Sequence, residues 1–172
     1  MKVLLSIAAI AAAGVAQAND DVPLPHQMPL SGAIFKFHKG ASQAFLERYI
    51  PDLKCQPFMG EVVCLAPVDE ISQLFIRNVK CIGPRPISFS IKAGKAIAAS
   101  CHVEQAEARR LSEAHGKRFG AAKVEQKDVP PMLGRQESWR IGGGDAFMVT
   151  HFYGQDTRGR AIDDYLVRMG PQ

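Results

Sequence analysis

The sequence lacks the short motifs by which many enzymes and metal proteins are recognised. It has no H-E-x-x-H or H-x-H metal pattern and no G-x-S-x-G nucleophile elbow. The glycines at 142–144 are not followed by the Lys-Ser/Thr pair and helix start that a phosphate-binding loop needs. The sequence therefore argues against the common metalloprotease, serine-hydrolase and nucleotide-binding classes, and we predict no cofactor, no metal site and no motif-based catalytic residue.

The sequence also lacks a strong charge of either sign. It has 21 Lys and Arg against 17 Asp and Glu, a formal net charge of +4, and the basic residues are scattered. Nucleic-acid modules cluster basic residues and interleave them with aromatic ones, so a nucleic-acid partner is not expected. The mild positive charge favours acidic partners such as wall polymers or membrane surfaces. The expected partner is an envelope protein or a wall component.

No stretch after the first 18 residues is long and apolar enough to suggest a membrane span. The first 18 residues have the three parts of a secretion signal: positively charged Lys2, an apolar run over 3–13, and Ala16-Gln17-Ala18 as a cleavage site. We predict a signal peptide over 1–18, a flexible Pro-containing leader over 19–33, and one domain over 34–172. The expected location is the bacterial periplasm or exterior.

The four cysteines have no C-x-x-C spacing, because 8, 16 and 19 residues separate them in order along the chain. An even cysteine count in a secreted chain predicts two disulfides, and four cysteines allow three pairings. We favour nearest-neighbour pairing, Cys55 with Cys64 and Cys81 with Cys101. A metal clip and a redox pair are the alternatives. The 55–64 pair is expected to staple the loop at 56–60 to a sheet edge.

Periodicity predicts an α+β fold with an antiparallel sheet of hairpin-linked strands packed by two helices. The order of the elements also suggests two αβββ units. Ser42 is the expected cap of the first helix, which Pro51 would end. The stretch 68–80 fits either a helix or a strand, with a strand favoured over 74–80, and 121–135 is predicted as a polar loop. The second helix is expected over 104–119, and the remaining strands over 61–66, 87–92, 95–103, 137–141, 146–153 and 162–169.

Apolar and aromatic side chains supply the candidate binding residues. Phe58 and Met59 would lie at the tip of the stapled loop, and aromatic residues concentrate in the C-terminal sheet. Exposed aromatic residues on a rigid sheet are typical interface anchors, whereas buried ones belong to the core, and both alternatives are open here. The predicted binding residues are Phe58, Met59, Trp139, Tyr153 and Tyr165.

One pair of side chains suggests an acid–base function. His151 lies in a predicted strand next to the one that carries Asp163 and Asp164, so it could meet either carboxylate. A His–Asp pair is half of a general acid–base device, although such pairs are also common on surfaces without catalysis.

The segments GEVVCLA, ISFSIKAGKA, RRLSEAHGKRFG and ESWRIGGG carry a resemblance. Together they resemble small uncharacterised exported bacterial α+β proteins, and the overall order over 34–169 is similar to the tandem αβ units of the β-lactamase-inhibitor-protein-like group. The chain departs from that group because its second helix–strand unit has no disulfide, and no functional residue is carried over.

Taken together, we expect a periplasmic or secreted, non-enzymatic binding or inhibitor-like accessory protein. The alternatives are an envelope-directed hydrolase that uses the His–Asp pair, and a binder of small ligands between sheet and helix.

Overall fold

The computed structural model describes residues 24–130 and 132–171. The predicted signal peptide over 1–18 and residues 19–23 of the predicted leader lie outside the described residues. The helices are α1 (Gln43–Tyr49), α2 (Glu70–Gln73) and α3 (Gln105–Phe119). The strands are β1 (Lys36–Phe37), β2 (Lys54–Phe58), β3 (Glu61–Ala66), β4 (Ile76–Arg77), β5 (Ile87–Lys92), β6 (Lys95–Val103), β7 (Lys123–Val129), β8 (Met132–Gly142), β9 (Asp145–Gln155) and β10 (Ala161–Pro171).

Eight strands form one antiparallel sheet in the order β2-β3-β5-β6-β10-β9-β8-β7. Strands β1 and β4 pair separately. Each half of the chain gives the large sheet four strands, and the halves meet where β6 pairs with β10. The antiparallel α+β architecture is therefore confirmed, while the finer arrangement of two αβββ units is not.

One face of the large sheet carries the hydrophobic core, because alternate residues of a strand point to opposite faces. Phe89 on β5, Cys101 on β6 and Val167 on β10 all point to this helix-covered face and are almost fully buried. Phe45 of α1 and Leu111 of α3 join the same cluster. Both longer helices thus cover one side of the sheet.

The opposite side of the central strands carries polar residues beside apolar ones such as Leu166 and Met148. We name this surface the serine face and define it by Ser88, Ser90, Ser100, Thr150 and Arg168. Register places Ser100 between Ser88 and Arg168, with their side chains on one side of the sheet. Among the described residues, the hydrophobic core cluster takes no member from the serine face.

The ambiguous stretch 68–80 contains both a helix and a strand, which makes α2 a third helix beside the two that were predicted. Asp69 caps α2 by accepting a 2.7 Å hydrogen bond from the Ser72 backbone N–H. The favoured strand over 74–80 is reduced to the two residues of β4, paired with β1 and not with the large sheet. Local periodicity could not separate these elements, because α2 has only four residues and β4 only two, far fewer than the stretch over which a period is recognised.

The prediction of a loop over 121–135 is wrong, because this stretch contains β7 and the start of β8. Strand β7 lies at the edge of the large sheet and has the sequence KVEQKDV. Charged side chains are common on edge strands, where they discourage pairing with other chains. The same charges make an edge strand resemble a loop in sequence.

The predicted disulfide pairing is confirmed. Cys55 and Cys64 face each other across β2 and β3, with 3.9 Å between their Cα atoms, and Cys81 is bonded to Cys101 of β6. The Cys55–Cys64 disulfide therefore joins the edge strand β2 to its neighbour β3, whereas the sequence predicted that it would hold a loop against a sheet edge. Two disulfides are consistent with an oxidising compartment.

The described part of the predicted leader, residues 24–33, contacts the domain. Met28 packs against the core, and the Ser31 backbone exchanges two hydrogen bonds with Phe37 of β1, at 2.8 and 3.0 Å. The capping prediction at α1 is confirmed, because the Ser42 hydroxyl accepts a 3.0 Å hydrogen bond from the Phe45 backbone N–H.

Candidate functional site

Two adjacent aspartates on the central strand β10 each meet a histidine, on opposite faces of the sheet. Asp163 accepts from His151 of β9, with 2.7 Å between Oδ1 and Nε2. Asp164 faces the other side and lies 3.0 Å from Nδ1 of His102 on β6. The alternative left open by the sequence is therefore decided in favour of Asp163 as the partner of His151.

His151 lies in a groove of about 200 Å³ between α3 and the C-terminal strands. Its ring is stacked on Tyr165 with centroids 4.3 Å apart, and Tyr153 lies 5.1 Å away at a tilt. The hydroxyl of Tyr153 donates to Gln126 on β7 at 3.3 Å. The structure thus brings together two of the predicted binding residues, Tyr153 and Tyr165, around His151.

Polar and charged side chains line most of the rest of this groove. Arg109 and Ser112 of α3 line one side, and Arg135 and Glu137 of β8 form an ion pair of 3.1 Å on the other. The Asp163 side chain is 69% exposed and that of His151 is 31% exposed, so water screens the pair. A screened pair is a weak acid–base device but an adequate polar contact for a ligand.

A second cluster consists of Arg85, His102 and Asp164. It was not predicted from the sequence because its members are far apart in the chain. Arg85 forms an ion pair with Asp164, which lies 79 residues later, and both lie beside His102. Burial, and secondarily the charge of Arg85, lower the pKa of His102 to about 4. The His102 ring is thus neutral at physiological pH, beside a polar cavity of about 510 Å³.

The tip of the β2–β3 hairpin carries the most exposed apolar side chains of the predicted site. Phe58 is 57% exposed and Met59 is 90% exposed. Met59 and Gly60 both have positive φ angles, 48° and 83°, as a two-residue hairpin turn requires. The adjacent turn at Ala93 and Gly94 lines the same notch, which has a volume of about 410 Å³.

Trp139 does not belong to this surface. It is 4% exposed, and its indole N–H donates a 3.0 Å hydrogen bond to the Gly120 carbonyl at the end of α3. Its ring packs against His115 and Phe147 on the helix-covered face. The expectation that Trp139 is a binding anchor is corrected: register on β8 turns it into the core, where it ties α3 to the sheet.

Comparisons of the chain with protein-family models, with curated proteins and with solved structures give no match. The similarity to the β-lactamase-inhibitor-protein-like group therefore stays a prediction. None of the described helices is long and apolar enough to cross a membrane. Within residues 24–130 and 132–171, no three His, Cys, Asp or Glu side chains converge in a way that could hold a metal ion.

Proposed function

We propose that this protein is a non-enzymatic, inhibitor-like or accessory binding protein of the bacterial periplasm or exterior. It would insert the β2–β3 hairpin tip, with Phe58 and Met59, into a cleft of an envelope protein. The observation that carries this proposal is Met59, a large apolar side chain that is 90% exposed on a left-handed backbone.

Met59 is unfavourable for the fold itself in two respects. A left-handed conformation costs a residue with a Cβ roughly 1–2 kcal/mol, and Asn-Gly is the usual choice in such turns. An exposed methionine also buries almost no apolar surface within its own chain. A contact outside the chain is the physical role that remains for this side chain.

The disulfide beside the tip supports the same role. Cys55 and Cys64 are directly paired, so the hairpin holds one shape before any partner arrives. A loop that is already ordered loses less conformational entropy on binding, which improves affinity without any new contact. The oxidising compartment that two disulfides favour agrees with the secretion signal predicted over 1–18.

Replacing Met59 by Asn is expected to separate binding from stability. Asn tolerates the left-handed backbone, so the free energy of unfolding should rise by about 1 kcal/mol. Partner binding should fall because the apolar contact is removed. Urea denaturation measures the first effect, and a site-specific photo-crosslinker at position 59, used in cells, identifies and quantifies the partner.

Val124 on the edge strand β7 provides a matched control, since it is 50% exposed and lies at the other end of the sheet order. A crosslinker at position 124 should give no saturable product, and Val124→Thr should leave partner binding unchanged. Equal crosslinking at positions 59 and 124 would refute the hairpin-tip proposal. Capture of a wall polysaccharide at position 59 would show that the partner is a wall component and not an envelope protein.

The envelope-directed hydrolase is the second candidate, and the 2.7 Å contact between His151 and Asp163 beside a groove supports it. If wall material is the substrate, His151→Ala should lower its hydrolysis at least about 100-fold, the lower bound for loss of an acid–base group. Release of soluble wall fragments measures this activity. If His151→Ala and the exposed control His26→Ala hydrolyse wall material equally fast, His151 is excluded as a catalytic residue.

The small-ligand alternative stays a prediction. A small ligand would use the same groove beside α3, and the lining residues Arg109, Arg135 and Glu137 support a polar ligand over an apolar one.

A further inference from the structure

Arg168 lies in the middle of β10 on the serine face, and no carboxylate of the described residues forms an ion pair with it. Its register partners are Ser100 on β6 and Met148 on β9, which are 7% and 8% exposed. Its one hydrogen bond in the described structure is a long one, 3.4 Å from Nη1 to the Ser90 hydroxyl. The chain therefore places a permanent positive charge at the centre of its sheet and leaves it nearly without partners.

This arrangement is costly for the isolated protein. A partly buried charge loses hydration, and the loss is offset only when an opposite charge or several hydrogen bonds replace the water. Burial lowers the pKa of the Arg168 guanidinium, and the attraction of Glu61 on β3 opposes that shift. Glu61 acts at a distance and does not form an ion pair with Arg168.

The groups around Arg168 suit an incoming carboxylate. Ser90 accepts the 3.4 Å hydrogen bond from the guanidinium, and Ser100 shares a 2.6 Å hydrogen bond with Ser88. Ser90 and Ser100 are each only 7% exposed, so the guanidinium itself is the group that an incoming carboxylate can reach. Arginine binds carboxylates through two parallel hydrogen bonds. A carboxylate carries one negative charge, whereas a phosphate would bring more charge toward Glu61.

We propose that the guanidinium of Arg168, flanked by Ser90 and Ser100, binds an acidic side chain of a partner protein on the serine face. The partner is thus expected to contact two places, the apolar hairpin tip and this carboxylate site. Phe58 lies on the same face of the sheet as Arg168, because its register partner Glu61 alternates with the helix-facing Val62 and Cys64. A membrane surface fits less well, since lipid-binding patches use clusters of four to eight basic residues.

The identity of the partner rests on the proposed binding function, but the carboxylate chemistry can be tested on the purified protein. The probe is an acetylated and amidated tri-glutamate peptide, compared with the tri-glutamine peptide at the same ionic strength. Because a ligand that binds the folded state stabilises it, the wild-type melting temperature should rise with the glutamate peptide and saturate. The glutamine peptide should produce no rise.

The variants decide whether Arg168 is responsible. Arg168→Gln should abolish the rise, and Arg168→Lys should weaken peptide binding at least tenfold because the bidentate contact is lost. Arg140, an exposed arginine of β8 whose register partner is Ala146, gives the matched control. Arg140→Gln should respond as the wild type does. An equal rise in Arg168→Gln and wild type, or an equal effect of both peptides, would overturn the inference.

A measurement on the wild-type protein does not depend on whether a variant folds. The side-chain Nε–H resonance of Arg168 should shift on titration with the glutamate peptide and not with the glutamine peptide; an unmoved resonance contradicts the site. Failure of this titration leaves the Met59 crosslinking result unaffected. A negative crosslinking result likewise does not contradict the carboxylate site, so each proposal can be rejected without the other.

Discussion

Removing the Cys81–Cys101 disulfide is expected to lower the free energy of unfolding by about 3 kcal/mol. The two residues are separated by 20 positions, and the bond joins the segment before β5 to the central strand β6. In the chain-entropy account, the cross-link restricts the unfolded chain, and its loss gives that freedom back. For a domain of this size the melting temperature should fall by about 6–12 °C.

The double variant Cys81→Ala with Cys101→Ala measures this effect by urea denaturation. Alanine is the better replacement because Cys81 and Cys101 are 6% and 0% exposed, so a serine would bury an unpaired hydroxyl. The matched control is Cys55→Ala with Cys64→Ala, which opens a shorter loop, with a separation of 9, at the sheet edge. We expect the control to lose less stability. A Cys81–Cys101 variant as stable as the wild type would contradict the entropic account.

Acidification from pH 6.5 to pH 4 is expected to destabilise the protein, and His115 alone should contribute about 3 kcal/mol of this loss. The side chain is fully buried, with its ring 3.7 Å from Phe147 in a parallel stack and Nδ1 2.8 Å from the Leu111 carbonyl. Burial lowers its pKa from 6.5 to about 4, the Leu111 hydrogen bond opposes this shift, and Arg118 and Arg110 add to it weakly.

The sign of the pH effect follows from which state binds the proton. Below pH 6.5 the unfolded chain protonates His115, while the folded protein keeps it neutral until about pH 4. The proton uptake therefore favours unfolding progressively across this window. Above pH 6.5 the contribution is constant, and below about pH 4 both states carry the proton and no further loss follows.

His115→Phe tests this contribution, because phenylalanine can keep the stack on Phe147 and cannot titrate. The loss of unfolding free energy between pH 7 and pH 4 should be smaller in the variant by about 3 kcal/mol. Unfolding can be followed by fluorescence of Trp139, the single tryptophan, whose ring lies 5.7 Å from that of His115. The exposed control His26→Gln should keep the wild-type profile. A His115→Phe profile identical to that of the wild type would exclude His115 as the titrating group.

The apolar hairpin tip and the partly buried Arg168 would give the binding surface two different roles. The hairpin would supply apolar area, and Arg168 would supply selection for an acidic residue, because an uncharged partner would leave the guanidinium unpaired. Substitutions at the two places should weaken binding independently, since distant sites without shared contacts are usually additive.

Features that depend on neighbouring residues could be obtained from the sequence alone. The disulfide pairing, the strands of the β5–β6 hairpin and the Ser42 cap were all predicted and are all present. Each depends on residues within about 20 positions of one another. Short loops and helical or strand periodicity specify such features locally.

Only the tertiary structure decided which side chains meet. Four features depend on the register of strands far apart in the chain. They are the contact of His151 with Asp163, the contact of Arg85 with Asp164, the burial of Trp139 and the lack of an ion-pair partner for Arg168 among the described residues. A shift of one residue in that register would turn every side chain of a strand to the other face. Register is set by burial across the whole sheet, and a single strand's sequence does not contain that information.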